Sequence, residues 1–162
     1  MSEQAHDDFL AACKDFDQAM LITHSQRGQL TARPMYIAKL DADGDLWFAT
    51  DVDSAKVDEI KANPEVCVTM SGGGTYVSIS GRARVEHDKD KIEQMWNEGW
   101  RVWFPDGKTD PRLTLINVEA REGEYWSNSG LNRFKYLFQA AKAYATGQRP
   151  QIDEAAHRRV HL

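Results

Sequence analysis

Short runs of alternating hydrophobic and polar residues, separated by turn residues, make up most of the chain. In the clearest run, residues 76–85, Val77, Ile79, Ala83 and Val85 share one face and polar side chains occupy the other. A period of two residues is typical of an antiparallel strand with one buried side. The pattern therefore indicates a mainly β domain of about six short strands with added helices. The other predicted strands cover residues 19–24, 30–40, 45–50, 66–70, 112–119 and 123–126.

Helical periodicity is found at the beginning of the chain. Phe9, Cys13, Phe16 and Met20 recur at steps of three and four residues, which is the spacing of one face of an α-helix. We predict an amphipathic helix over about residues 3–18. A helix in this position is expected to cover one end of a β-barrel.

A tryptophan-rich segment, residues 88–104, also has helical periodicity. Its apolar stripe includes Trp96 and Trp103, and Trp100 widens the stripe, so a single packed helix is predicted. Two interpretations of the three tryptophans are open: they pack the helix against the barrel, or they wall an aromatic substrate pocket. Their spacing fits a packing stripe, which favours the first interpretation.

The C-terminal part of the chain contains a last helix and a polar extension. Residues 131–146 are predicted to be helical and to end at Gly147, because glycine is favoured just after the last helical turn. Residues 148–162 are polar, include Pro150, and are interpreted as a tail or as an arm that grips a partner. We expect a single domain over residues 1–147, since a chain of 162 residues suits one core.

The charge balance argues against two classes of partner. The chain has 20 basic and 25 acidic residues, a net charge of −5, and no stripe of Lys and Arg to neutralise a polynucleotide. No segment approaches the ~20 consecutive apolar residues of a membrane span. We therefore expect neither nucleic acid nor a membrane as a partner, and we expect a cytoplasmic protein.

The two cysteines and five histidines lack the spacing of a metal site or a redox motif. Cys13 falls in a predicted helix and Cys67 in a predicted strand, and both are interpreted as buried thiols. The histidines show no ligand spacing with one another or with acidic residues, so no metal site is predicted.

The most informative chemistry lies where a predicted strand gives way to a helix, in residues 48–64. Ser54 and Lys56 fall at the helix start, where unpaired N–H groups and the helix dipole favour an anion. Upstream, Arg33 carries a guanidinium, which binds phosphate through two parallel hydrogen bonds. Each residue also has an ordinary interpretation, namely a helix cap, a solvated charge and a surface salt bridge, respectively. Their combination favours a phosphate site.

These residues, in this order, resemble the pyridoxamine 5′-phosphate oxidase-like flavin-binding split barrels, and more closely their general stress protein branch. The pattern is an arginine on the second strand, a Thr-x-x-x-Ser-x-Lys run that opens a short helix, an Asn-Pro at the helix end and a late tryptophan motif. The resemblance covers roughly residues 10–130. The matching positions are Arg33, Thr50, Ser54, Lys56, Asn63, Pro64, residues 77–83 and Glu124-Tyr125-Trp126.

The resemblance implies a fold and a cofactor. It implies a six-stranded antiparallel split β-barrel of the Greek-key type with helices at its ends, and a homodimer in which each flavin lies in the crevice between two subunits. The implied cofactor is FMN, with FAD or riboflavin as alternatives, and a deazaflavin or haem as further alternatives within the superfamily. The implied cofactor-binding residues are Arg33, Pro34, Met35, Tyr36, Ala49, Thr50, Ser54, Lys56, Tyr76 and Trp126.

One part of the family pattern is missing. Members that oxidise vitamin B6 phosphates carry an Arg-x-His segment after the tryptophan motif, and at best Arg133 and Lys135 occupy those positions here. We therefore do not expect a true pyridoxamine phosphate oxidase. Two interpretations stay open: an FMN-dependent oxidoreductase that acts on NAD(P)H or a small organic substrate, and a non-catalytic flavin-binding or redox-sensing stress protein. No residue is predicted to be catalytic.

Overall fold

This computed structural model describes residues 3–127, 131–147 and 157–162. Within this part of the chain, no helix is long and apolar enough to cross a membrane. The strands are β1 (Gln18–His24), β2 (Leu30–Leu40), β3 (Leu46–Asp51), β4 (Glu65–Gly72), β5 (Thr75–Glu86), β6 (Leu113–Ser127) and β7 (His157–His161). The helices are α1 (Glu3–Lys14), α2 (Ala55–Ala62), α3 (Lys89–Met95) and α4 (Leu131–Thr146), and short 3-10 helices cover Glu98–Val102 and Gly107–Thr109.

Six of the strands close into an antiparallel barrel. Their order is β3-β2-β1-β4-β5-β6, and β3 also pairs with β6, with Ala49 opposite Leu115 in that ladder. Because β4 returns beside β1 after the β1-β2-β3 meander, the topology is of the Greek-key type. The predicted split barrel with added helices is confirmed, and β7 is one strand more than the six expected.

The first half of β6 is buried on both faces. Ile116 and Val118 belong to the main core inside the barrel, whereas Leu113 and Leu115 belong to a second cluster on the outer face. The second cluster also contains Trp47 and residues of the α3 region. A strand buried on both sides carries apolar residues on both faces rather than at alternate positions only. Residues 113–118 do so, although Thr114 and Asn117 are buried polar residues among them.

β6 is one strand of 15 residues, whereas the sequence predicts two strands over residues 112–119 and 123–126. The charged residues between them, Arg121 and Glu122, interrupt the hydrophobic pattern, but the ladder with β5 continues past them, with Ala120 opposite Gly81 and Glu122 opposite Ser80. A shift of register next to Gly81 accommodates an extra residue. The two-strand prediction is wrong because exposed charges are tolerated on the outer face of a paired strand.

The helix α1 packs against β5, β6 and β7. Phe9 and Cys13 are buried, and burial raises the pKa of the Cys13 thiol to about 12. The prediction of a buried thiol is confirmed for Cys13, whereas Cys67 is only partly buried. α1 ends at Lys14 rather than at residue 18, because Gln18 already pairs with β2.

The tryptophan-rich segment is not the single helix that the sequence predicts. α3 ends at Met95, and Trp96 adopts an extended conformation with ψ of 131°. The side chain of Asn97 then accepts a hydrogen bond from the Gly99 N–H at 2.8 Å and starts a separate 3-10 helix. A short polar side chain competes in this way with the helical backbone, which explains why the continuous-helix prediction is wrong.

The C-terminal segment contributes a strand that the sequence does not predict. α4 ends at Thr146 and Gly147 follows at φ of 66°, as expected. Farther along, β7 pairs with the second half of β6 and buries Val160. The end of the polar segment is therefore part of the sheet, since one apolar residue in the five-residue strand packs into the core.

We expect Gly81→Ala to destabilise the barrel. A Cβ at this position would lie well inside van der Waals contact of the Glu119 carbonyl oxygen, so the β5–β6 ladder would have to shift. The free energy of unfolding, measured by urea denaturation, should fall by about 1–3 kcal/mol. The neighbouring and exposed Ser80→Ala serves as a control and should change it by less than about 0.5 kcal/mol. Equal stability of the two variants would contradict the close approach of the two strands.

Candidate functional site

The junction between β3 and α2 brings three of the predicted site residues together. Thr50 lies at the end of β3, Ser54 immediately precedes α2, and Lys56 is in its first turn. The Lys56 ammonium donates a hydrogen bond to the Thr50 hydroxyl at 3.0 Å, and the hydroxyl oxygens of Thr50 and Ser54 are 3.4 Å apart. We call these three residues the hydroxyl–lysine cluster. The hydroxyl of Ser54 makes no capping bond to the helix, so the helix-cap interpretation does not hold.

Lys56 is in an unfavourable electrostatic position for a free ammonium group. It is partly buried, and burial together with the positive charge of Arg33 lowers its pKa from the ordinary lysine value. Among the described residues no carboxylate lies within ion-pair distance of its Nζ. Asp51 and Glu59 raise the pKa of Lys56 from farther away but do not offset these two effects, so an anion bound beside Lys56 would gain a favourable charge interaction.

Arg33 is held in place by β1 and α2. Its Nη2 lies 2.8 Å from the Glu59 carboxylate, and its Nη1 donates to the hydroxyl of Thr23. The Thr23 hydroxyl in turn donates to Glu59, so the three side chains form a closed network. Both Thr23 and Glu59 are buried. Arg33 therefore forms an ion pair, as its ordinary interpretation supposes. The pair is largely buried rather than on the surface, and it fixes the direction of the guanidinium.

A pocket opens beside the hydroxyl–lysine cluster. Its volume is about 540 Å³, within the range of about 300–1,000 Å³ that small-molecule sites occupy. Six of the predicted cofactor-binding residues line it: Pro34, Met35, Tyr36, Ala49, Thr50 and Lys56. The other lining residues are Gln18, Asp51, Trp100, Trp103 and Phe104, none of which is in the predicted cofactor-binding set.

Trp100, Trp103 and Phe104 form what we call the aromatic wall of the pocket. They come from the segment that follows α3, while the remaining lining residues come from the barrel strands and α2. Phe104 is also buried in the second hydrophobic cluster, against which Trp100 packs. The packing interpretation of the tryptophans is therefore incomplete, because two of them also face the pocket. The density of aromatic residues in 96–104 is the signal from which this wall is recognisable.

Tyr76 and Trp126 lie elsewhere. They are opposite each other on β5 and β6, and the indole of Trp126 stacks on the ring of His157 with a centroid distance of 4.8 Å. Neither residue lines the pocket of its own chain. Arg33 and Ser54 are not among the residues that line the pocket either, although Ser54 lies beside Thr50 and Arg33 lies in the network with Glu59. The side chains of Arg133 and Lys135 lie outside the described part of the structure.

A family model described as pyridoxamine 5′-phosphate oxidase like matches residues 4–151, which is most of the chain. The protein belongs to this pyridoxamine 5′-phosphate oxidase-like family. Among curated proteins, Protein bli-3 of Neurospora crassa is 30% identical over 117 residues, which cover 65% of this chain and 56% of bli-3. The chain therefore spans little more than half the length of this relative.

Solved structures agree with membership of the pyridoxamine 5′-phosphate oxidase-like family. The general stress FMN/FAD binding protein of Xanthomonas citri is 28% identical, with a TM-score of 0.68 over 80% of this chain and 92% of its own. A protein of Jannaschia sp. CCS1, assigned provisionally to general stress protein 26, has a TM-score of 0.75 over 99% of this chain and 100% of its own. At 23% identity the second likeness concerns the fold alone.

We expect Arg33→Ala to destabilise this member of the family. It would leave the buried Glu59 carboxylate and the Thr23 hydroxyl without their partner, so the free energy of unfolding should fall by about 1–3 kcal/mol. Arg82→Ala is the control, because its ion pair with Glu65 is long, at 3.9 Å, and exposed. That variant should lose less than about 1 kcal/mol. Urea denaturation measures both, and an equal loss would show that the Arg33 network adds nothing.

Proposed function

We propose that this protein binds FMN and uses it in an oxidoreductase reaction with a small substrate. The observation that carries the proposal is the hydroxyl–lysine cluster, in which a partly buried ammonium and two hydroxyls share a helix start. No carboxylate of the described residues lies within ion-pair distance of that ammonium, and Asp51 and Glu59 act on it only from farther away. The FMN/FAD binding of the related Xanthomonas citri protein supports the same cofactor here.

The phosphate of FMN fits this cluster chemically. Lys56 supplies a positive charge, and the hydroxyls of Ser54 and Thr50 supply hydrogen-bond donors to a dianion. The first N–H groups of α2 add donors at the positive end of the helix dipole. Arg33 contributes the positive charge that already lowers the pKa of Lys56. A bound dianion relieves the repulsion between these two cations, which is why the site favours a phosphate over a neutral group.

The flat ring of a flavin fits the rest of the pocket. The β2 residues Pro34, Met35 and Tyr36 and the β3 residue Ala49 line the barrel side, and the aromatic wall lines the other. The apolar side chains of the barrel side hold one face of the planar ring and keep water from it, and the aromatic wall faces that ring across the pocket. When bound, FMN supplies hydride and single-electron transfer, which the protein residues do not provide.

In this proposal the protein's own residues bind and orient the flavin and the substrate, and they do not carry out the redox step. Asp51 is the one carboxylate that lines the pocket in the described part of the chain, and the lining there includes no histidine and no cysteine. This scarcity of proton-transfer groups favours a second candidate, a non-catalytic flavin-binding or redox-sensing protein. Steady-state oxidation of NAD(P)H by the FMN-loaded protein distinguishes turnover from binding alone.

We expect Lys56→Ala to weaken FMN binding at least about tenfold, because a charge-assisted hydrogen bond contributes about 1.5–3 kcal/mol. Riboflavin lacks the phosphate, so its affinity should change less than about twofold. Titrations with each flavin, followed by tryptophan fluorescence and the visible flavin spectrum, measure both dissociation constants.

Lys61→Ala is the matched control, because Lys61 is exposed in the last turn of the same helix. It should leave both affinities unchanged. An equal loss of FMN and riboflavin in Lys56→Ala would contradict the phosphate assignment.

We further propose that the protein is a homodimer and that the partner copy completes the flavin site. Tyr76 and Trp126 are 53% and 36% exposed on a surface apart from their own pocket. Tyr36, which lines the pocket, is 64% exposed. Several other residues of β2 are also exposed. A second copy that brings its Tyr76 and Trp126 to this side would cover both exposed aromatic surfaces.

We expect the shared site to show complementation between variants. Lys56→Ala and Trp126→Ala dimers should each bind FMN weakly, whereas refolding the two chains together should restore roughly a quarter of the sites, those with both residues intact. FMN titration of the mixture measures this fraction, and light scattering checks the dimer. A monomer that binds FMN tightly, or a mixture no better than its parents, would contradict the proposal.

A further inference from the structure

The segment that carries the aromatic wall is held by contacts among its own residues. The ring of Trp96 meets that of Trp100 edge-on at 5.7 Å, and the Arg101 guanidinium lies 5.7 Å from the Trp96 ring centroid. The Trp96 indole N–H donates to Glu98 at 2.9 Å, and Arg101 donates to the same carboxylate. The hydrogen bonds from Arg101 and Trp96 lower the pKa of Glu98 to about 2, so these bonds persist at neutral pH. Trp96 is therefore the anchor of the segment.

Trp103 is presented by this segment at the edge of the pocket. It lines the pocket, yet its side chain is 68% exposed. Among the described residues it has no aromatic partner and no hydrogen-bond partner for its indole N–H. The next residue, Phe104, is buried and fixes the backbone. An indole that is placed at the pocket by a buried neighbour and has an uncovered face is a surface on which a planar molecule stacks favourably.

The charges around the pocket favour a neutral ligand on this surface. Lys56 is the one cation that lines the pocket in the described part of the chain. In the proposed complex it is already paired with the FMN phosphate. Arg101 and Lys108, the cations of the nearby segment, are paired with Glu98 and Glu93. A dinucleotide such as NADPH would bring a second set of phosphates, for which these residues leave no free cation. A neutral aromatic molecule needs none.

We propose that Trp103 selects the substrate by stacking on a neutral planar aromatic molecule, of the size of a naphthoquinone, that lies over the bound flavin. This inference rests on the proposed FMN site. Trp103 is a positioning residue in this arrangement, and the hydroxyl–lysine cluster alone holds the cofactor phosphate. The site would thus bind two stacked planar groups, one held mainly by the barrel and one by the aromatic wall.

The test is the binding of 2-methyl-1,4-naphthoquinone to the FMN-loaded protein, measured by isothermal titration calorimetry. We expect Trp103→Ala to weaken it about five- to tenfold, because an indole stack and its buried area are lost. Trp103→Phe should restore most of the affinity, since a smaller aromatic ring remains. Val102→Ala is the matched control, because Val102 is 80% exposed on the same segment and does not line the pocket.

FMN titrations of the same variants separate this inference from the proposed function. Unchanged FMN affinity with weakened naphthoquinone binding in Trp103→Ala supports it. Naphthoquinone affinity that is equal in Trp103→Ala and the unmodified protein overturns the inference and leaves FMN binding standing. A parallel loss of FMN affinity also overturns it, because Trp103 would then contact the cofactor itself. Absence of FMN binding in the unmodified protein overturns both proposals.

Discussion

The rest of the structure depends on the pairing of β6 with three other strands. Its first half lies between β3 and β5, which closes the barrel, and its second half lies between β5 and β7. Closure removes the exposed edge that an open sheet would leave at β3. β3 pairs with β2 as far as Phe48 and with β6 as far as Asp51, so its last residues and the start of α2 are fixed to the barrel. The proposed anion site, formed by the hydroxyl–lysine cluster, is therefore built on a rigid part of the molecule rather than on a mobile loop.

Two opposite electrostatic arrangements lie side by side at this site. Arg33, Glu59 and Thr23 satisfy one another in a buried network, which costs little once all three are present. Lys56, in contrast, is partly buried beside Arg33 and has only a hydroxyl as its hydrogen-bond partner among the described residues. The network stabilises the protein without a ligand, whereas Lys56 gains from one. This division explains how a structural ion pair and the proposed binding site lie next to each other.

The two sides of the pocket have different structural origins. The side that carries the anion site belongs to the barrel common to the pyridoxamine 5′-phosphate oxidase-like family, to which residues 4–151 match. The aromatic wall belongs to an irregular segment between α3 and β6. Such a segment tolerates sequence change without disturbing the barrel ladders. A fold built in this way is able to keep one side of the pocket while the other side varies.

The sequence alone determined the strands β1 to β5, the Thr50 to Lys56 junction and the limits of α4, because alternation, turn residues and helix-start chemistry are local properties. It also led to the family, since Arg33, Ser54 and Lys56 stand in a recognisable order. Tertiary structure decided the rest. The continuity of β6, the break after Met95, the docking of Val160 and the turn of Trp103 toward the pocket each depend on contacts between residues far apart in the chain. The free energy of such contacts outweighs local preference, so no local pattern predicts them.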